Sequence, residues 1–314
     1  MNAQVRSFEP VLPPRLRPGD TVRFVSPAST PMRASVERSA VMLRGLGLNV
    51  QLAPHVFDEH GYLAGRDEDR LADFNDALRD PEVDAIFTTR GGKGAYRIAD
   101  RLDFAAASAN PKIVLGFSEI TFLHLALLKH CGLATIHGAA WDAGTFGEAS
   151  AASFRRAVFT ADPIVIEADA NEPTNELTTS GVARGPLIGG NQDSLAISSG
   201  WVLPKLDGAI LLLEAYNMRL GHIDRQLTML FNAGHLRGVC GVVVGQYTRC
   251  GSDATTHGDW TEIDVLRDRL GLLGVPVLGG LPLGHGERPR AVPIGTMATL
   301  DADAGVLRVN AGVA

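Results

Sequence analysis

The sequence has little cysteine, no long apolar run and no cluster of basic residues. Its three cysteines lack C-x-x-C spacing and its nine histidines include no H-E-x-x-H, so neither a disulfide framework nor a common zinc site is indicated. No segment approaches the roughly 20 apolar residues that a membrane helix needs. The start of the chain lacks the apolar core of a signal peptide. We therefore expect a soluble, cytoplasmic protein that uses no metal or cofactor.

The charge of the chain is mildly acidic and evenly spread. The net charge is −6, and lysine and arginine form no block in the sequence. The sequence therefore indicates no basic surface that would bind nucleic acid or an anionic membrane. A small-molecule or peptide substrate is the better expectation. With 314 residues, of which 45% are hydrophobic and 20% charged, the chain is long enough for two cores, so we expect two domains.

The first part of the chain alternates short β-rich runs with amphipathic stretches. Residues 21–25, 48–52, 84–89 and 134–137 predict strands, and the segments between them carry helical patterns. This alternation is typical of a parallel α/β domain. Loops with unusual chemistry follow several of these strands, at the sheet edge where open parallel sheets bind ligands.

The composition then becomes polar and aperiodic before regular patterns return. We expect an N-terminal domain at residues 1–150, a crossover or linker at 151–184 and a C-terminal domain at 185–314. The last of these contains a predicted strand at 208–213 and ends in two short strands joined by a turn at 301–305.

Ser118 stands where a short apolar run meets a helical pattern. A strand that ends in a sharp turn lifts the hydroxyl above the sheet edge, and the following helix aims its free N–H groups and positive dipole end at an oxyanion formed there. Half of the G-x-S-x-G motif of nucleophile elbows is present, since Glu119 and Ile120 follow the serine. Ser118 is therefore either a nucleophile or the N-cap of the helix.

A glycine-rich turn lies upstream, between a predicted strand and a predicted helix. It consists of Arg90, Gly91, Gly92, Lys93 and Gly94. Backbone N–H groups of such turns bind anions or oxyanions. The turn matches neither the Walker sequence nor G-x-G-x-x-G, and a plain tight turn explains it equally well. Its lysine adds a cation that either meets a carboxylate or phosphate of the ligand or faces solvent.

Four further segments are candidates for the site. Glu214 ends a predicted apolar strand, where a carboxylate either lies in solvent or orients a histidine, the third role in a Ser-His-acid set. His285 lies between glycines on a loop and is either a general base or a surface histidine. His137 competes for the base role, because it ends a predicted parallel strand and should face the same crevice. The glycines before Asn191 either lend backbone groups to a substrate or make a turn.

Taken together, these segments resemble the LD-carboxypeptidase family of serine peptidases over most of the chain. The residues that carry the resemblance are Arg90-Gly91-Gly92-x-Gly94-Ala95-x-Arg97, Gly116-x-Ser118-x-Ile120-Thr121-x-Leu123-His124, His137-Gly138, Gly189-Gly190-Asn191, Glu214 followed by Ile223-Asp224-Arg225-x-Leu227, and Gly280-Leu281-Pro282-Leu283-Gly284-His285. Several motifs in this order are far more specific than any one of them.

The resemblance implies a fold and a catalytic machinery. The fold is α/β, with a flavodoxin-like, parallel-sheet nucleophile domain and a smaller mixed α/β C-terminal domain, usually in a homodimer. Ser118, His285 and Glu214 form a triad at the domain interface, without a metal. The oxyanion is held by backbone N–H groups of Glu119 and of the turn at residues 91–92.

The resemblance also implies two alternative activities. One releases terminal D-alanine from cytoplasmic muropeptides by cleaving an L,D-peptide bond during cell-wall recycling, and it is the favoured expectation. The other hydrolyses microcin C-type peptidyl or aminoacyl nucleotides, which requires an aromatic side chain to stack on the base. Candidates for that stacking are Tyr216, Trp141 and Trp201.

Substrate contacts are expected from a small set of residues in these motifs. They are Arg90, Lys93, His137, Asn191 and Tyr216. A hypothesis of another class is a non-catalytic binding protein whose two domains close on an anion held by Arg90 and the glycine turn. Such a protein would need neither the acid nor the base of a triad.

The chain departs from the family pattern close to the proposed site. Family members commonly have Tyr before and Asp after the serine, where this chain has Phe117 and Glu119, and often an aromatic residue where Lys93 stands. An acidic residue usually follows the catalytic Glu, and here that residue is Ala215. These differences concern the substrate rather than the triad.

Overall fold

The computed structural model describes residues 9–251 and 259–314. They form two β-sheets, and apolar side chains are buried between the sheets and the helices packed on them. In this part of the chain no helix combines the length and the apolar character that a membrane crossing requires.

Strands and helices alternate in the first part of the chain, as the sequence predicts. In order, the elements are β1 (Thr21–Val25), α1 (Arg33–Gly45), β2 (Asn49–Leu52), α2 (Asp67–Arg79), β3 (Ala85–Thr88), α3 (Phe104–Ala109), β4 (Ile113–Gly116), α4 (Thr121–Cys131) and β5 (Thr135–His137). Helix α4 ends before Gly132, whose φ of 66° lies in the left-handed region that glycine adopts without strain.

The second part of the chain begins with two helices. In order, its elements are α5 (Ala143–Phe146), α6 (Glu148–Phe159), β6 (Ile164–Glu167), β7 (Val182–Asn191), α7 (Gln192–Ile197), β8 (Ile210–Tyr216), α8 (Leu220–Asn232), β9 (Gly241–Thr248), α9 (Glu262–Gly271), β10 (Val277–Leu278), β11 (Val292–Ile294), β12 (Met297–Asp301) and β13 (Val306–Val309).

The first sheet has the strand order β2-β1-β3-β4-β5-β11. Strands β1 to β5 pair in parallel, and β11 pairs antiparallel with β5 at one edge. The order 2-1-3-4-5 is that of flavodoxin-like folds. The prediction of a flavodoxin-like N-terminal sheet is therefore confirmed.

The second sheet is mixed and has the order β10-β9-β8-β7-β12-β13-β6. Its first four strands are parallel to one another, and the other three pair antiparallel. This arrangement agrees with the mixed α/β fold that was predicted for the C-terminal part.

The segment at residues 151–184 differs from the expected linker. It holds most of α6, all of β6 and the start of β7, and β6 pairs with β13 at the edge of the second sheet. The alternation of buried Ile164 and Ile166 with exposed neighbours covers only four residues, which is too short to stand out in the sequence. Strand β11 also returns from the C-terminal part to the first sheet, opposite His137. The division of the chain at residues 150 and 185 stays a prediction.

Helix α4 joins the two halves. Its residues from Thr121 to Leu128 are all buried, as is expected of a helix that is apolar on every side. At its start, the Thr121 hydroxyl accepts a hydrogen bond from the backbone N–H of Asn191, at the end of β7, over 3.0 Å. The beginning of α4, directly after Ser118, is therefore held against the second sheet.

Candidate active site

Ser118 lies in a strained turn between β4 and α4. Its φ of 63° falls in the left-handed region, which is uncommon for a residue with a side chain. It begins a 3₁₀ turn, Ser118–Ile120, that runs into the helix, and the N-cap of this turn is Phe117. Ser118 is thus the N-cap neither of the 3₁₀ turn nor of α4, whose N-cap is Ile120. The backbone has the form of a nucleophile elbow.

The glycine turn lies against this elbow. A Cβ atom on Gly91 would be 2.9 Å from Ser118 Cβ, 3.1 Å from its Oγ and 3.2 Å from the backbone N of Glu119. Gly92 has a φ of +109°, and a Cβ there would meet Ser29 Oγ at 2.5 Å. Glycine is therefore required at both positions. The space that a side chain on Gly91 would fill lies beside the hydroxyl and a backbone N–H group, where an oxyanion would form.

The side chain of Glu119 connects the elbow to the glycine turn. It is buried, and its Oε1 accepts a hydrogen bond from the backbone N–H of Ala95 over 2.7 Å. Burial raises the pKa of this carboxyl to about 7, against the opposing effect of the Ala95 N–H. The sequence suggested only a backbone role for Glu119. Its side-chain role depends on a contact between distant turns that no local pattern shows.

Glu214 and His285 form a buried pair at the end of β8. His285 Nδ1 lies 2.7 Å from Glu214 Oε2, and the Glu214 side chain has no exposed surface. The loop can come this close because residue 284 is glycine: with a φ of +125°, a Cβ there would lie 2.8 Å from Glu214 Oε2. The carboxylate is placed to fix the tautomer of the imidazole and to stabilise its protonated form.

Gln246, on β9, holds the other side of the histidine loop. Its Oε1 accepts a hydrogen bond from the backbone N–H of Gly286 over 2.8 Å, and its Nε2 donates to Glu172 Oε1 over 2.5 Å. The sequence gives no sign of this role, because Gln246 sits inside an apolar strand.

The serine and the histidine meet at one cavity of about 1200 Å³. Both residues line it, although they come from different halves of the chain. The ring of Phe117, the residue before Ser118, lies 5.0 Å from the His285 ring between centroids. Tyr216 stacks on the same imidazole at 4.9 Å, with 29° between the ring planes. The imidazole is thus fixed beside the nucleophile turn.

The structure brings most of the predicted site residues to this cavity. Those that line it are Arg90, Gly91, Gly92, Lys93, Ser118, Glu119, Asn191, Tyr216 and His285. The side chain of Asn191 also caps α7, because its Oδ1 accepts a hydrogen bond from the backbone N–H of Ser194 over 3.3 Å.

His137 does not line the cavity, although the sequence suggested that it faces the crevice. Its side chain is buried beneath the site, with its ring centroid 6.2 Å from that of Phe117. Burial lowers the pKa of His137 to about 4. A strand end is the right position for a site residue, but here the end of β7 packs against the ring, since a Cβ on Gly190 would lie 3.2 Å from His137 Nδ1.

Both halves of the chain match models of one family. Residues 22–138 match the LD-carboxypeptidase N-terminal domain, and residues 184–300 match the LD-carboxypeptidase C-terminal domain. A putative carboxypeptidase of Streptomyces coelicolor is 38% identical over 96% of this chain and 97% of its own. A probable murein peptide carboxypeptidase of Bacillus subtilis is 34% identical over 96% of this chain and 95% of its own.

The fold also matches a solved structure. The microcin C7 self immunity protein MccF, in complex with aspartyl sulfamoyl adenosine, superposes with a TM-score of 0.84 and 22% identity, over 97% of this chain and 100% of that one. At this identity the match shows a shared fold.

Proposed function

Because the chain belongs to the LD-carboxypeptidase family of serine peptidases, we propose that it releases terminal D-alanine from muropeptides by cleaving the L,D-peptide bond before it. The observation that carries this proposal is the buried Glu214–His285 pair, whose imidazole packs beside the nucleophile turn of Ser118. The murein peptide carboxypeptidase named among the relatives supports the substrate class.

The proposed reaction is acyl transfer through a covalent intermediate. His285 takes the proton of the Ser118 hydroxyl as its oxygen attacks the carbonyl carbon, and Glu214 stabilises the imidazolium. The imidazolium then gives its proton to the departing amine of D-alanine. Water, activated by the same histidine, hydrolyses the acyl-enzyme. Catalytic hydrogen bonds of this kind often tighten only when substrate binds.

The oxyanion of the tetrahedral intermediate is assigned to the space between Gly91 and the elbow. The Glu119 N–H at the start of the 3₁₀ turn and an N–H of the glycine turn would donate to it. Arg90, Lys93, Asn191 and Tyr216 line the same cavity and are the proposed substrate contacts.

The test is to incubate the purified protein and its Ser118→Ala variant with a tetrapeptide that ends in D-alanine. We expect the wild type to release D-alanine, measured by mass spectrometry, and the variant to lose turnover by a factor on the order of 10⁴ or more. Circular dichroism should show an unchanged fold. Near-normal hydrolysis by the folded variant would remove Ser118 from the mechanism.

A second candidate activity is hydrolysis of aminoacyl nucleotides. Tyr216 favours it, because this aromatic ring lies at the cavity beside His285 and is 41% exposed, so a base could stack on it. An aminoacyl sulfamoyl adenosine offered beside the tetrapeptide separates the two activities by the product formed. A non-catalytic binding protein would not need the buried Glu214–His285 pair.

A homodimer in the cytoplasm, implied by the resemblance, is part of the same proposal. Light scattering of the purified protein would measure the mass in solution. A monomer at micromolar concentration would contradict the dimer and leave the catalytic proposal standing.

A further inference from the structure

An ion pair crosses the cavity between the two halves of the chain. Lys93 Nζ, on the glycine turn of the first half, lies 3.7 Å from Asp193 Oδ2, in the first turn of α7 in the second half. Both residues line the cavity that holds Ser118 and His285. The lysine is two positions from Gly91, where an added Cβ would lie 3.1 Å from Ser118 Oγ. A cation thus lines the same cavity as the proposed oxyanion site, with a protein carboxylate as its partner.

The two members of this pair are held very differently. Asp193 Oδ1 accepts a hydrogen bond from Gln226 Nε2 over 2.5 Å, and Gln226 in turn accepts one from Gln192. The aspartate is therefore fixed. The Lys93 side chain is 61% exposed, and at 3.7 Å the pair is longer than a good charged hydrogen bond. Since exposed ion pairs contribute little to stability, another carboxylate can replace Asp193 as the partner of Lys93 at small cost.

A carboxypeptidase substrate brings such a carboxylate. It has a free C-terminal carboxylate one residue beyond the scissile bond, which is what distinguishes it from an internal peptide segment. With the scissile carbonyl oxygen beside Gly91, the terminal carboxylate lies one residue further along the substrate. Lys93 lies two residues further along the glycine turn and lines the same cavity. Lys93 already acts on a carboxyl in this region, because its charge helps to lower the pKa of Glu119 against the larger effect of burial.

We propose that Lys93 binds the terminal carboxylate of the substrate and that Asp193 holds Lys93 until that carboxylate displaces it. This inference rests on the proposed peptidase function and names the residues that would recognise the free C-terminus of its substrate. Asp193 limits affinity in this arrangement, because it competes with the substrate for the same ammonium group.

Binding to the Ser118→Ala protein tests the inference without catalysis. The ligands are a tetrapeptide ending in D-alanine and the same peptide with a C-terminal amide, and the measurement is calorimetry. With Lys93→Met added, we expect affinity for the acid to fall by about 10- to 100-fold, the range for losing one hydrogen bond to a charged group. Affinity for the amide should change by less than about threefold.

Asp193→Asn should change the affinity for the acid peptide in the opposite direction. Asparagine keeps an oxygen that can accept the hydrogen bond from Gln226 but no longer competes for the lysine, so the acid peptide should bind several-fold more tightly. As a control, Arg38→Met removes a positive charge from another wall of the same cavity. It should leave the preference for acid over amide as it is.

The outcomes distinguish this inference from the proposed function. The inference is overturned if Lys93→Met lowers the affinity for the acid and for the amide peptide equally. It is also overturned if Arg38→Met reduces the preference for acid over amide as much as Lys93→Met does, or if neither peptide binds. If the acid binds through Lys93 but the wild type releases no D-alanine, the proposed reaction is wrong and the carboxylate site stands. If the wild type releases D-alanine and Lys93→Met keeps the full preference, the inference alone fails.

Discussion

His285 Nδ1 lies 2.7 Å from Oε2 of Glu214, a carboxylate with no exposed surface. A buried carboxylate is costly unless it is paired. Glu214, at the end of an apolar strand, therefore needs a partner, and the loop that carries His285 supplies it. The pairing uses Nδ1 and leaves the other ring nitrogen of His285 for the proposed proton transfer from Ser118.

Replacing Glu214 with glutamine is the direct test of this pair. Glu214→Gln keeps the side-chain shape but removes the charge that stabilises the imidazolium. We expect kcat for D-alanine release to fall by a factor on the order of 10³ to 10⁴, the range for the orienting acid of a triad. Glu148→Gln, an exposed change of the same chemistry, should have no effect. A loss of less than tenfold would show that the carboxylate is structural.

Gly91→Ala tests the space beside the nucleophile. The added methyl group would lie 3.1 Å from Ser118 Oγ and 3.2 Å from the Glu119 backbone N, so it would occupy the proposed oxyanion position. We expect kcat to fall by about 10²- to 10³-fold, as when one oxyanion donor is lost. The unfolding temperature should fall as well, because the methyl group would also lie 2.9 Å from Ser118 Cβ and the elbow must shift to admit it.

The matched control for that experiment is Gly45→Ala. A Cβ there meets nothing within 4 Å, and Gly45 lies at the exposed end of α1. It should be fully active. Equal activity of the two alanine variants would move the oxyanion site away from Gly91.

The candidate catalytic residues that could be predicted from the sequence are those whose residue type and position in the strand pattern indicate a site. Ser118 and Glu214 end apolar strands, and His285 lies between glycines, so the residue type together with its place in the pattern marks each of them. The parallel sheet could be predicted for the same reason, because its central strands β3 and β4 are short apolar runs that stop at a polar or glycine-rich loop.

The residues that could not be found act through contacts between distant parts of the chain. Gln246 holds a backbone N–H 40 residues away, and the Glu119 side chain holds one 24 residues away. Strand β11 is three residues long and contains Pro293, which a sequence pattern argues against. Its pairing with β5 is fixed by the packed fold, so no local periodicity records it.

The buried carboxyl of Glu119 predicts a pH-dependent stability. Its pKa is raised from 4.5 to about 7, so between these values the folded protein holds a proton that the unfolded chain has lost. The contribution of this group to stability is therefore lost as pH rises from 4.5 to 7. Glu119→Gln keeps an oxygen for the Ala95 N–H and cannot ionise. Relative to the wild type it should gain about 3 kcal/mol between pH 5 and pH 8.

The measurement is urea unfolding of both proteins at the two pH values. The wild type serves as its own reference at pH 5, where the carboxyl is protonated in the folded state. Stability curves that run parallel for the two proteins would mean that Glu119 is ionised in the fold at pH 5, against the effect of its burial.

The buried histidines predict a pH dependence of the opposite sign. Burial lowers the pKa of His124 to about 3 and that of His137 to about 4, whereas the hydrogen bond to Asp58 raises the pKa of His55. In the unfolded chain these two histidines bind protons near pH 6.5, whereas in the folded protein they stay neutral at that pH. Stability from these two residues is complete above pH 6.5 and is lost as pH falls, by about 1.4 kcal/mol per pH unit for each.

Ring ¹⁵N chemical shifts of histidine would measure the protonation state of each imidazole as the pH changes, without any mutation. We expect the signals of His124 and His137 to keep the neutral form from pH 8 to pH 5, while His55 becomes protonated within that range and serves as the internal reference. The neutral state follows from the position of both rings under the site, where no solvent reaches a charge. If either buried ring titrates near pH 6.5, water enters the space between the two sheets, and the closed floor of the proposed active site is wrong.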